Sequence, residues 1–209
     1  MAREEGLIEI RPLIPKTVEV TIVGDGDLVL NKMNDVTVRN LTRERKGKAK
    51  DGEAPNKWEE IITSLHWFYG KPDDFTEEGF NNALKNNAPC ITAFGLKKSF
   101  GEAVVRNEID KYATKFNPSV NIVADKGLIP IKFAAHYIDE RLMSPKKGSP
   151  VLARLNHFCG WRATFTVSYT ENVYSLEQIL NIINLAGFGL GIGSGRSSGY
   201  GRYHVEGIK

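Results

Sequence analysis

The C-terminal segment 187–202 concentrates groups that could bind an anion. Seven of the chain's 20 glycines fall within residues 187–201, interleaved with serines and arginines. Glycine loses more conformational entropy on folding than other residues, so this density indicates left-handed backbone or a close approach. Free N–H groups in such a loop can form an anion-binding nest, and Arg196 and Arg202 add forked donors suited to phosphate. We therefore predict a phosphate-binding loop rather than a flexible connection.

Two other basic segments could contribute to the same surface. Lys97 and Lys98 stand at the predicted start of a helix, where cations oppose the macrodipole unless an anion binds there. Two solvated lysines would explain this pair equally well. Arg43, Arg45, Lys46 and Lys48 belong to a basic run that is either solvated or an arm tracking a nucleic-acid backbone.

Groups that could perform catalysis are few. His136 falls on the polar side of its predicted strand, which makes it the best general-base candidate for RNA cleavage, although a structural histidine is the commoner case. Asp25 and Asp27 follow the first predicted strand and could hold a metal ion in strand cleavage. Their neighbouring glycines equally indicate a simple turn. We predict no resident metal and no cofactor.

Bulk properties indicate an ordinary globular chain. Its 209 residues suffice for one large domain, and a net charge of +3 means that any basic patch must be local. Cys90 and Cys159 have no metal-ligand spacing and are interpreted as buried thiols of a reducing compartment. The charged N-terminus does not resemble a signal peptide, and no segment has the length of a membrane span. A soluble cytoplasmic protein is expected.

The hydrophobic pattern predicts secondary structure along most of the chain. Alternation at 18–22 and 161–170 is typical of half-buried strands, and Ser175 with Gln178 forms a capping box for a helix. Gly187 is predicted to close that helix in the left-handed conformation. The remaining predicted elements are a helix over 96–116, a strand over 120–123, a strand over 129–138 and a last strand at 203–205.

The element order defines the predicted fold class. It is β-α-β-β-α-β, the α+β ferredoxin-like (RRM-like) pattern, in which two helices cover one face of a four-stranded antiparallel sheet. RNA-recognition modules with this architecture bind single strands on the other face. The irregular stretch after the first strand is too long for an ordinary loop. We therefore expect a single domain over 1–209, with a palm formed by 1–31 and 90–209 and an inserted thumb-like subdomain at 32–89.

Two segments carry a resemblance to a known family. Residues 191–202, Gly-Ile-Gly-Ser-Gly-Arg-Ser-Ser-Gly-Tyr-Gly-Arg, resemble the glycine-rich signature of the RAMP superfamily, whose members build CRISPR effector complexes. Residues 93–103 are similar to the segment that opens the first helix of the family's backbone subunits. The resemblance covers about 130 residues of the core and excludes the insertion. The chain departs from the family at Lys97-Lys98-Ser99, where a hydroxyl pair more often precedes lysine and glycine.

The resemblance implies a ferredoxin-like palm, an RNA-binding surface and stacking into filaments. By the same comparison, Lys97 and Lys98 would contact phosphates and the glycine-rich segment would line the RNA backbone. The expected partners are single-stranded RNA such as a crRNA-like guide, or another nucleic acid, together with further copies or other effector subunits. No membrane partner is expected, and the compartment would be the cytoplasm of a bacterial, archaeal or phage-infected cell.

Three functions stay open at this point. The first is an RNA-binding subunit without catalysis of its own, the second an endoribonuclease, and the third a phage-encoded inhibitor that binds a host defence complex. The predicted nucleic-acid-binding residues are Lys97, Lys98, Gly191, Gly193, Ser194, Arg196, Ser197, Ser198, Gly199, Tyr200, Gly201, Arg202, Arg43, Arg45, Lys46 and Lys48.

Overall fold

A computed structural model describes residues 14–45, 56–143 and 150–209. The strands in this part are β1 (Pro15–Gly24), β2 (Leu28–Leu30), β3 (His66–Trp67), β4 (Pro89–Thr92), β5 (Val120–Val123), β6 (Leu128–Lys132), β7 (Ala135–Met143), β8 (Val151–Cys159), β9 (Arg162–Thr170) and β10 (Tyr203–Ile208). The α-helices are α1 (Asp35–Arg45), α2 (Lys57–Thr63), α3 (Glu77–Asn86), α4 (Ala93–Arg106), α5 (Phe116–Ser119) and α6 (Leu176–Gly189).

The larger sheet has the ferredoxin-like strand order that the sequence predicts. Its strands run β10-β1-β9-β6-β4-β3, all paired antiparallel, and β5 also pairs with β9. Along the same edge of β9, β5 lies opposite Thr166–Tyr169 and β6 opposite Arg162 and Ala163. Taking β5 and β6 together as the second core strand gives the spatial order 4-1-3-2. The α+β, RRM-like fold class is thereby confirmed.

Alternating apolar side chains hold the centre of this sheet. Val18, Val20 and Ile22 of β1 are buried, and β1 pairs with β9 over nine residues. Ala163, Phe165, Val167 and Tyr169 are the buried apolar positions of β9. The helices α4 and α6 pack together on the sheet, and α6 begins with the predicted Ser175–Gln178 capping box.

The predicted helix over 96–116 is wrong in length, because α4 ends at Arg106. The Asn107 side chain donates to the carbonyl of Ala103, and Glu108 follows with a φ of 56°. The Asp110 carboxylate then accepts the backbone N–H of Lys115. Such local bonds from asparagine and aspartate offer the backbone an alternative to the helix. Ile109 and Tyr112 consequently lie outside the helix and are exposed.

A second sheet, in the order β2-β8-β7, was not predicted. The predicted strand over 129–138 divides after Lys132 into β6 in the larger sheet and β7 in the smaller one. The segment 28–30 does not extend the first strand and pairs with β8. Among residues 14–45, 56–143 and 150–209, no helix combines the length and apolar character that crossing a bilayer requires.

The end of α6 corrects the predicted role of Gly187. The helix continues through Gly189, and it is Gly191 that takes the left-handed conformation, with a φ of 70° and its N–H bonded to the carbonyl of Ala186. Gly187 has a packing role instead. A Cβ at this position would lie 2.0 Å from the carbonyl oxygen of Tyr203 in β10. The helix therefore packs on the last strand through a bare backbone.

This contact predicts a contrast between two glycines of one helix. Gly187→Ala should lower the free energy of unfolding by about 3 kcal/mol, because the backbones of α6 and β10 must separate. Gly189→Ala is the matched control, since a Cβ there meets nothing within 4 Å, and it should stabilise by up to about 1 kcal/mol through helix propensity. Urea denaturation of both variants measures this difference. Equal stabilities would contradict the packing role.

Candidate nucleic-acid interface

The glycine loop, residues 190–202, has the left-handed backbone that its composition predicts. The glycines with positive φ in it are Gly191, Gly193, Gly195, Gly199 and Gly201. A Cβ at Gly201 would lie 1.9 Å from the carbonyl oxygen of Ile192, and one at Gly193 would lie 2.4 Å from that of Val29. Two passes of the loop and the edge of β2 therefore approach more closely than any side chain allows.

Three N–H groups of the glycine loop have acceptors within the protein. Ser194 donates its N–H to the carbonyl of Val29 at 2.7 Å, and Gly201 donates its N–H to that of Asp27 at 2.8 Å. Ile192 donates across the loop to Gly201 at 3.0 Å. These N–H groups bond within the protein, so they rigidify the loop instead of facing a ligand. These three N–H groups are therefore not available to an anion.

A cleft of about 300 Å³ opens beside this loop. We call it the basic cleft, because Lys32, Lys98 and Arg196 line it and no carboxylate does within the described residues. Its lining consists of Leu30, Asn31, Lys32, Ser64, His66, Cys90, Ile91, Thr92, Gly95, Leu96, Lys98, Ser99, Gly191, Ile192, Gly193, Ser194 and Arg196. Three cations from three separate segments thus converge in a chain of low net charge.

The start of α4 separates the two lysines that the sequence pairs. Thr92 caps the helix by accepting the N–H of Gly95 at 3.1 Å, so the helix begins at Ala93 and both lysines lie in its second turn. Lys98 lines the basic cleft. Lys97 does not, and its Nζ donates instead to Oδ1 of Asn121 at 2.7 Å. A phosphate contact by Lys97 therefore stays a prediction outside this cleft.

His66 and Lys32 are members of the cleft that sequence reasoning missed. His66 is half-buried in β3, where it pairs with Cys90 of β4. Burial lowers the pKa of His66, and the charge of Lys32 lowers it further. The imidazole is therefore neutral at pH 7, with one nitrogen donating and the other accepting. In the sequence, His66 is one of four scattered histidines and belongs to no motif, so no pattern marked it as a site residue.

Arg196 also lines a neighbouring cleft of about 360 Å³, together with Glu102, Arg106, Ser197 and Arg202. Its Nη1 lies 3.5 Å from Oε2 of Glu102, so its charge is only partly compensated at the surface. Arg202 donates from Nη1 to the carbonyl of Phe188 at 2.5 Å, which places its cation at the C-terminal end of α6. The side chain of Arg196 thus contributes to both clefts.

The remaining predicted contacts are dispersed. Ser198 and Gly199 are exposed in the glycine loop, whereas Gly201 is buried. The rings of Tyr200 and His157 form a T-shaped pair, with their centroids 5.1 Å apart. Arg43 and Arg45 end α1, and Lys46 and Lys48 lie outside the described residues. Nucleic-acid contact by all of these residues stays a prediction.

His136 occupies a different environment from the polar face that the sequence predicts. Its ring lies between Phe80 and Phe158, at centroid distances of 5.2 and 4.9 Å, and its Nε2 is 3.1 Å from Oδ1 of Asn156. Burial lowers the pKa of His136. This geometry is that of a packed structural histidine. Phe80 belongs to α3, and Phe158 is the cross-strand neighbour of His136 in β8 of the second sheet.

The two aspartates have separate partners. Asp25 lies 2.5 Å from Nδ1 of His204, and both side chains are exposed. Asp27 accepts the hydroxyl of Tyr137 at 2.8 Å. Burial acts to raise the pKa of Asp27, but hydrogen bonds from Tyr137, Cys159 and His157 outweigh it and hold the pKa below its usual value. Within the described residues, no three acidic, histidine or cysteine side chains are grouped for metal binding.

The chain is similar in fold to a protein of known structure. No family model matches the sequence, and no curated protein matches it. A chain in the cryo-EM structure of the Type III-B Cmr-beta bound to cognate target RNA superposes with a TM-score of 0.51 and 14% identity, covering 93% of this chain and 60% of that chain. The two chains thus have a similar fold, and this chain spans 60% of the length of that neighbour.

A second structure is more distant. Cmr6 from Pyrococcus furiosus gives a TM-score of 0.35 at 14% identity, with 93% of this chain and 100% of that chain covered.

The position of Lys32 beside His66 predicts a measurable coupling. Lys32→Gln should raise the pKa of His66, because it removes a cation that disfavours the imidazolium form. The pKa should stay below its ordinary value, since burial is the larger cause. NMR titration of the His66 ring resonances measures the shift. Lys111→Gln, which does not line the cleft, should leave the pKa unchanged. An unaltered midpoint in Lys32→Gln would refute the proximity of these two groups.

Proposed function

We propose that this protein is an RNA-binding subunit of a CRISPR-type ribonucleoprotein complex, holding single-stranded RNA without catalysis of its own. The observation that carries the proposal is the basic cleft, where Lys32, Lys98 and Arg196 line one concave surface without a carboxylate among the described lining residues. Phosphate contacts fix the register and orientation of a bound strand without reading its sequence. A rigid loop beside three cations suits that task.

The position of the cations within the fold supports the proposal. Lys98 comes from the first core helix, Arg196 from the glycine loop, and Lys32 from the segment after β2. Lys32 and His66 belong to the region 32–89, which we interpret as a thumb-like insertion on a palm formed by 1–31 and 90–209. The insertion would therefore contribute to strand binding together with the palm.

The expected partners follow from the neighbour of similar fold. That chain belongs to a complex bound to target RNA, and we transfer a comparable setting to this protein as a proposal. The partners would be a crRNA-like guide or other single-stranded RNA, and further copies or other effector subunits. In this setting, the RNA strand would pass from the basic cleft into the neighbouring cleft, in contact with Arg196 and Arg202.

RNA binding should depend on salt and on Lys98. Lys98→Gln should weaken binding of single-stranded RNA about tenfold for all sequences alike, the size of one charge-assisted hydrogen bond. The slope of log K against log salt should fall by about one. Fluorescence anisotropy with labelled random-sequence RNA measures both quantities. Lys111→Gln is the matched control, because it removes an exposed lysine that lies beyond the far end of α4.

Other outcomes would favour the alternative functions. Absence of salt-sensitive RNA binding by the wild-type protein would overturn the proposal. Cleavage of labelled RNA, with or without EDTA, would favour an endoribonuclease using Asp25, Asp27 or His136. A host protein partner that survives nuclease treatment in a pull-down would favour an inhibitor of a defence complex.

A further inference from the structure

We infer that the basic cleft is a site for one whole nucleotide, which enters with its phosphate at the cleft's cations and its base against an apolar floor beside His66. This inference rests on the proposed function, because the nucleotide would be one unit of the bound strand. It goes further by assigning base contacts to a surface that would otherwise bind the backbone alone.

The size of the cleft favours a single nucleotide. Sites for small ligands measure roughly 300–1,000 Å³. The basic cleft, at about 300 Å³, lies at the lower end of this range. It is therefore sized for one compact unit and not for a length of strand. A backbone passing over the protein would need no such depth.

The floor of the cleft is apolar. The four aliphatic side chains that line it, all buried, are Leu30, Ile91, Leu96 and Ile192. A phosphate gains nothing from such a surface, whereas the faces of a nucleobase lose water on contact with it. No aromatic ring other than the imidazole of His66 lines the cleft within the described residues, so the base would be held by packing and not by stacking between rings.

Two polar side chains of the cleft lining remain available to contact the edge of a base. Most polar side chains of the lining already have partners within the protein. Ser64 donates to Ile61, Cys90 to Ala88, Ser99 to Gly191 and Ser194 to Asn31, while Thr92 accepts from Gly95. The side chains of His66 and Asn31 have no such partner among the described residues. Their donors and acceptors can therefore serve a ligand.

These two side chains are chemically suited to a base. Neutral imidazole offers one donor and one acceptor, and the amide of Asn31 offers both kinds of group as well. A base edge presents donors and acceptors in the same way, whereas phosphate presents only acceptors. The cleft thus pairs three cations for a phosphate with two uncharged groups of mixed polarity.

The inference is tested with free ligands and the intact chain. Isothermal titration with 5′-AMP, 5′-UMP, ribose 5-phosphate and inorganic phosphate compares ligands that have and lack a base. At least one mononucleotide should bind about tenfold more tightly than ribose 5-phosphate. His66→Leu and Asn31→Ala should each reduce this advantage by about fivefold while leaving ribose 5-phosphate binding unchanged. Lys98→Gln should weaken binding of all four ligands.

The outcomes separate this inference from the proposed function. Equal affinities for mononucleotides and ribose 5-phosphate would overturn the nucleotide site, while salt-sensitive RNA binding by the same preparation would uphold the proposed function. Mononucleotide binding without RNA binding would overturn the proposed function and uphold the site. Asn31 is exposed, so Asn31→Ala keeps the test decisive if His66→Leu fails to fold.

Discussion

The close approach of the glycine loop to the first strands is the constraint on which the rest of the structure depends. The loop bonds to Val29 of β2 and to Asp27 in the turn before it, at distances that leave no room for a Cβ at Gly193. Because β2 belongs to the smaller sheet, while β10 belongs to the larger sheet and α6 packs against β10, this contact joins the two halves of the fold. It also positions the loop that carries Arg196, which lines the basic cleft together with Lys98.

Much of the palm could be predicted from the sequence because its signals are local. The alternation of β1 and β9 and the capping box of α6 depend on neighbours a few residues apart. The second sheet could not be predicted in this way. Asn156, His157 and Phe158 are buried in succession in β8, because β2 and β7 flank this strand and other elements cover both its faces. Strict alternation, the signal of a half-buried strand, is therefore missing there.

The candidate site was only partly predictable for a related reason. Arg196 and Lys98 stand in segments with an unusual composition, and composition is visible in a sequence. Lys32 and His66 can be recognised as site residues only from the pairing of β3 with β4 and of β2 with β8. These contacts join residues far apart in the chain. The bonds from Ser194 and Gly201 could not be predicted, because their acceptors, Val29 and Asp27, lie more than 160 residues upstream.

The internal bonding of the glycine loop has a consequence for how this surface can change over evolution. The loop's conformational entropy is lost when the chain folds, so a ligand meets a preorganised surface and need order only the side chains on it. Arg196, Ser197 and Ser198 project from a backbone whose shape is set by glycines and carbonyls. Substitutions at these three positions can therefore alter ligand preference while the loop keeps its backbone conformation. Folding thus depends on the glycines of the loop, whereas recognition depends on the side chains that project from it.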